Sequence, residues 1–306
     1  MTANSRDQIL HDFYRMMRVY KNGRVERLVG TEYAPPSVDP TTGVQSKDVE
    51  IAPEINVSAR LYLPKTPIPA RNFLFLSTFT AAALLLAPEH PLPIAYEDSW
   101  LALKWAASHS IGNDDEEWIK DYADLDHGYL GGDSAGANIA HNVAMRVGSE
   151  KVEWINLNGV FLNCPFFGGK DPMGNESLTT YAFQKNFLDK LWPFACPTTT
   201  GLDDPLINPD MDPNLSCFGS KKVLVYVAEK DVVRERGFYY KEVLEKSGWN
   251  GDVEVVEVKK EKHIFSVFYP KSDNGIAMLK RVGSFLNQHK ANDMFDSKNF
   301  GLASFE

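Results

Sequence analysis

The sequence predicts an α/β fold with a mostly parallel central sheet and crossover helices. Two patterns carry that expectation. Short β-branched strands alternate with amphipathic helical runs along the second half of the chain, and a G-x-S-x-G turn sits where one strand meets one helix. With 306 residues and 43% apolar content the chain can bury a substantial core, so one domain over 1–306 is favoured over two small ones.

The elements follow in order. A helix is predicted over Asp7 to Val19, where Ile9, Leu10, Phe13, Met16 and Met17 share a face, so residues 1–30 read as an N-terminal helix or lid. Asn22-Gly23 is a hairpin signal, and Tyr33 to Pro40 is a proline-marked loop. Val44 to Ile51 and Val57 to Leu63 read as an antiparallel pair, because Val57, Ala59, Leu61 and Leu63 alternate with Ser58, Arg60 and Tyr62. Phe73 to Ala87 is almost unbroken apolar sequence, yet at fifteen residues it falls short of the roughly 20 that cross a bilayer. A buried strand, or a strand with a helix fragment, is expected there. Ala95 to Ser108 follows as a helix, and Asp114 to Glu117 opens a short helix around Trp118 and Ile119.

Beyond the G-x-S-x-G turn, Leu157 to Asn163 reads as a buried strand ending at Cys164-Pro165. Residues 168–213 are rich in Pro, Gly and Asp around one apolar helical patch, Phe183 to Trp192, and form a cap or pocket insertion. Two further strands, Val223 to Ala228 and Val253 to Val258, flank a helix from Val233 to Ser247. A last helix covers Gly275 to Gln288, and 290–306 is a polar tail expected to be flexible.

A formal charge of −9 with no basic stripe argues against a nucleic-acid surface. Three cysteines, Cys164, Cys196 and Cys217, are an odd number without C-x-x-C spacing, which suits a reducing compartment and no structural metal. No glycine-rich phosphate loop or ligand cluster implies a cofactor. Met1 to Tyr20 lacks a continuous apolar core, so no secretory signal is read and a soluble, cytoplasmic chain is expected. The N-x-S matches at Asn56, Asn175 and Asn214 would matter only in a secreted chain. Oligomeric state is not readable.

The chemistry centres on Gly132-Asp133-Ser134-Ala135-Gly136. Such a turn lifts a serine hydroxyl above the sheet and aims the first N–H groups of the following helix at a developing oxyanion, here Ala135 and, as a further candidate, Gly136. Serine needs a base, and a carboxylate must orient that base. Asp231 follows Val223 to Ala228, and His263 follows Val253 to Val258, each just beyond the carboxyl end of a strand. Asp231 also suits a helix N-cap, and the two roles are compatible. The other six histidines, His11, His90, His109, His127, His141 and His289, fall on predicted helices or upstream loops. The order Ser134, Asp231, His263 is that of an α/β-hydrolase triad.

With these residues in view, the chain resembles the plant carboxylesterase family of α/β-hydrolases, related to the hormone-sensitive-lipase branch. The resemblance is carried by YKNGRVER at Tyr20 to Arg27, Thr42-Gly43-Val44 with Ser46 to Val49, SARLYLP at Ser58 to Pro64 and LAPEHPLP at Leu86 to Pro93. It continues through Ala95 to Trp100, GGDSAGANIAH at Gly131 to His141, Leu188 to Trp192, DPLINP at Asp204 to Pro209 and Ala228 to Asp231. It implies hydrolysis of small carboxylic esters through an acyl-serine intermediate, with Ser134, Asp231 and His263 at the triad positions.

The chain departs from the family at one place. Members carry an H-G-G-G segment after an early strand, which completes the oxyanion hole, then a helix and another parallel strand before L-A-P-E-H. No H-G-G-G occurs here, and Pro69 to Pro88 is too short for a strand, a loop, a crossover and a second strand. One central strand and its crossover are therefore expected to be absent and hydrolysis to be impaired. Two alternatives stay open. One is an inactive small-molecule-binding paralogue like the gibberellin receptors, which resemble the family but lack the catalytic histidine, so that His263 speaks against that version. The other is a dehydratase or cyclase using the same pocket.

Overall fold

A computed structural model describes residues 8–14, 16–30, 32–65, 73–79, 87–111 and 116–287. The tail at 290–306 and most of the second half of the Phe73 to Ala87 segment lie outside them.

Residues expected to be helical at the N-terminus are strands instead. β1 (Ile9–Phe13), β2 (Met17–Tyr20) and β3 (Val25–Arg27) form a small antiparallel sheet. The Asn22-Gly23 turn, with Gly23 at φ +84°, pairs β2 with β3, and an extended β2 then pairs back onto β1. Phe13 and Met17, four residues apart and so on one face of a helix, become cross-strand partners. Phe13 packs edge-on against Phe187 of the later helix 182–195, and its ring also meets Phe194 there. His11 thus lies on a strand.

The expected antiparallel pair forms as β4 (Gln45–Ala52) and β5 (Val57–Leu63), in a two-stranded sheet of its own. β6 (Phe73–Phe79) follows, then α1 (Ile94–Ile111), α2 (Glu117–Tyr122), β7 (Ala123–Asp133), α3 (Ala135–Ser149) and β8 (Leu157–Asn163). α4 (Ala182–Ala195) is the helical patch of the insertion, and it flanks, with β1, a cleft of about 970 Å³. β9 (Lys222–Ala228), α5 (Arg234–Lys246), β10 (Asp252–Val258), α6 (Phe265–Phe268) and α7 (Asp273–Leu286) complete the chain order.

The main sheet has the order β10-β9-β8-β7-β6, all parallel. Among the described residues β6 pairs only with β7, and no strand joins the β4–β5 pair to this sheet. Side-chain alternation on β9 divides the core in two. Val223, Val225 and Val227 face one cluster with Leu130, Val160, Val143 and Leu244, whereas Leu224, Tyr226 and Ala228 face another with Tyr129, Met278 and Phe285. α1, α3 and α5 supply the first cluster and α7 the second, so both faces of β8 and β9 are covered.

His141 of α3 is fully buried, its Nδ1 3.0 Å from the Tyr240 hydroxyl of α5, and burial pushes its pKa down to about 3. Protonation therefore favours the unfolded chain: this contribution to stability is complete above the ordinary value of about 6.5 and is lost as pH falls below it. In denaturant titrations the wild-type chain is expected to lose about 2–3 kcal/mol more than His141→Phe between pH 7 and 4.5. Equal pH slopes in the two proteins would refute the assignment.

Candidate active site

Register brings the strand ends together. Asp133, the last residue of β7, stands beside Asn163, the last of β8, which stands beside Tyr226; Ala228 and Val258 end β9 and β10 side by side. Side chains just beyond these ends therefore meet above one edge of the sheet.

Ser134 takes φ +56° and ψ −115° between β7 and α3. A non-glycine residue holds such a conformation only when its surroundings impose it. Here the Ser134 N–H donates to the Asn163 carbonyl at 2.9 Å, and the Phe166 N–H donates to the Ser134 carbonyl at 3.0 Å. Gly132 allows the turn to close, because a Cβ there would lie 2.3 Å from the Gly136 carbonyl. Ala135 opens α3, so its N–H has no acceptor within the helix.

Asp231 is 2% exposed in the loop after β9, and α5 begins three residues later, at Arg234. It is therefore not the N-cap itself: its Oδ1 accepts the Val233 N–H at 3.3 Å, and its Oδ2 lies 2.6 Å from His263 Nδ1. His263 Nε2 lies 2.8 Å from Ser134 Oγ. The three residues singled out from the sequence thus form one hydrogen-bonded line. Burial lowers the His263 pKa, and the Asp231 carboxylate outweighs it, holding the imidazole above its ordinary value. Such a line can draw the hydroxyl proton toward Nε2 while the carboxylate steadies the cation that results.

Two neighbours carried no sequence signal. Asn175, in the insertion, donates from Nδ2 to the Asp231 carbonyl at 2.7 Å and the Glu229 carbonyl at 3.3 Å. Its segment is anchored by the buried Arg236–Glu176 ion pair and by Arg236 donating to the carbonyls of Gly169 and Asp171. The loops after β9 and β10 are also tied together, Lys230 N–H to Glu261 carbonyl at 2.9 Å. Cys164, just past β8, is the second neighbour, with its Sγ within 4.8 Å of donor atoms on Asp231 and His263. Sequence separations of more than 50 residues hide both.

A model of the α/β hydrolase fold matches residues 79–267. Probable carboxylesterase 2 of Arabidopsis thaliana is 39% identical over 320 residues, covering 94% of this chain and 99% of that protein. The chain belongs to the plant carboxylesterase family of α/β-hydrolases. Another relative, the 2-hydroxyisoflavanone dehydratase of Glycyrrhiza echinata, is 40% identical over 89% of this chain and 94% of its own length. Among solved structures, the thermostable carboxylesterase EstE1 from a metagenomic library superposes with a TM-score of 0.66 at 20% identity, covering 80% of this chain and 88% of its own, a likeness of fold. Membership also exposes a deficit. The alignment with the Arabidopsis relative spans 320 positions but uses 94% of 306 residues, about 288, so about 32 positions have no counterpart here.

Ring-proton NMR provides the check on the electrostatics. His263 is expected to titrate above the ordinary value of about 6.5 in the wild-type chain and at lower pH in Asp231→Asn, where the carboxylate no longer offsets burial. Identical titration curves would contradict the coupling.

Proposed function

We propose that the chain is a serine carboxylesterase acting on small-molecule esters through an acyl-Ser134 intermediate. The observation that supports it is the line Ser134 Oγ, His263 Nε2 at 2.8 Å, and His263 Nδ1, Asp231 Oδ2 at 2.6 Å. His263 Nε2 takes the hydroxyl proton as Ser134 Oγ attacks the ester carbonyl, and the tetrahedral oxyanion accepts a hydrogen bond from the Ala135 N–H. Collapse expels the alcohol, which takes the proton from Nε2. Water, activated by the same nitrogen, then releases the acid. Residues 168–213 act as the cap and the whole chain as one domain. The three cysteines, all free, support a reducing, cytoplasmic setting; among the described residues no helix is long and apolar enough to cross a membrane.

The rate is expected to be low. Loss of one oxyanion donor costs roughly 10²–10³ in kcat, about 2.7–4 kcal/mol. The absence of H-G-G-G and the length deficit support such a loss. A second reading is favoured by the relatives named 2-hydroxyisoflavanone dehydratase: Ser134 and His263 would then serve proton transfer in an elimination.

Intact mass after exposure to a small reactive phosphonate ester is the test. One adduct is expected, absent in Ser134→Ala. No adduct from protein that melts cooperatively would overturn the esterase reading and favour a binding role, while release of water from 2-hydroxyisoflavanone without hydrolysis of activated esters would favour the dehydratase.

A further inference from the structure

The proposed reaction leaves unused a buried nucleophile beside Ser134, Asp231 and His263. Cys164 is 1% exposed at the end of β8, held at φ +48° by its N–H donating to the Tyr226 carbonyl at 2.8 Å. Its Sγ accepts the Ile264 N–H at 3.5 Å, which fixes the sulfur against the residue that follows His263. β8 lies between β7 and β9, so the thiol sits among the three loops that carry the serine, the carboxylate and the imidazole. One atom each of Cys164, Asp231 and His263 lies within 4.8 Å of the other two.

We propose that Cys164 Sγ, His263 Nδ1 and an Asp231 carboxylate oxygen form a binding site for one thiophilic divalent cation, zinc, and that occupancy reversibly shuts off the Ser134 centre. The shut-off rests on the esterase reading; the metal site does not. Sulfur, imidazole nitrogen and carboxylate oxygen are the three donor types that zinc takes, at roughly 2.0–2.3 Å. Donors on a tetrahedron of that size stand about 3.2–3.7 Å apart. The cluster already lies inside the span from which small side-chain rotations reach that geometry. An ion enters from the solvent side of the imidazole, whose side chain is 38% exposed, while Asp231 and Cys164 wait beneath it.

Binding has a definite proton balance. The Cys164 thiol releases its proton to solvent as the zinc–sulfur bond forms. The proton that Nδ1 shares with Asp231 also leaves to solvent as Nδ1 gives its lone pair to zinc, and the neutral imidazole then carries its single ring proton on Nε2, taken from solvent where that nitrogen was bare. An Nε2–H can donate to Ser134 Oγ but cannot accept the hydroxyl proton, and the nucleophile stays unactivated. Cys-x-x-Cys spacing gives no hint of such a site, because its ligands come from three separate loops.

Chelator-treated full chain is titrated with cadmium, whose thiolate complex absorbs in the near ultraviolet, and with zinc by calorimetry. One equivalent is expected to bind at micromolar or lower concentration, with a charge-transfer band retained in Cys217→Ser and lost in Cys164→Ser and Cys164→Ala. Absence of one-equivalent binding, or a band retained in either Cys164 variant, would overturn the site. In unaltered protein, one equivalent of zinc is expected to slow phosphonate labelling at least tenfold, with full recovery on adding chelator. Labelling unchanged by bound zinc would overturn the shut-off, whereas absence of labelling without metal would strike only the esterase reading and leave the absorption test standing.

Discussion

The parallel register of four neighbouring strands is the constraint on which the rest depends. β7, β8, β9 and β10 end nearly level, so the residues just past those ends have nowhere to go but toward one another. The ladder does not merely support the loops. Asn163 contributes its carbonyl to the Ser134 N–H while its side chain donates to Asp133 at 2.6 Å, so the end of β8 grips the strained turn at the end of β7. A backbone conformation that costs about 1–3 kcal/mol elsewhere is thereby held by hydrogen bonds the sheet makes anyway.

Much of this was legible in sequence, and the reason is burial. β8 spans Leu157–Asn163, as its apolar run predicts, and β9 begins one residue before its predicted start, because strands covered on both faces are written as continuous apolar or β-branched sequence; β10, an edge strand with Glu254 and Glu257 among its valines, also begins one residue early. Ser134, Asp231 and His263 were findable from their positions after such strands. The first 20 residues were misread because Ile9, Phe13 and Met17 satisfy two periods at once: a spacing of four places residues on one helical face and also on one strand face. Asn22-Gly23, which begins three residues beyond the predicted helix, decides for strands by pairing β2 with β3. Asn175 and Cys164 were invisible as site neighbours because their partners are distant in sequence, and an Asn-x-Ser triplet or an unpaired cysteine has no periodicity to betray a tertiary role.

Five parallel strands and a detached β4–β5 pair stand among the described residues, with β6 at an edge. Nothing in the line from Ser134 to Asp231 depends on that edge: every hydrogen bond holding the three residues comes from β7 to β10, their following loops and the 168–177 segment. Ser134, His263 and Asp231 are brought into one hydrogen-bonded line by one half of the sheet.

The hydrogen bond between His263 and Asp231 is the point at which this assembly is most directly observable. A proton held between Nδ1 and a carboxylate 2.6 Å away resonates far downfield of the amide region in the proton NMR spectrum. In the purified chain at low temperature one such signal is predicted, absent in both Asp231→Asn and His263→Ala. A wild-type chain that melts cooperatively yet shows no far-downfield proton between pH 5 and 9 would contradict the claim that the loops after β9 and β10 hold Asp231 and His263 in one hydrogen-bonded pair.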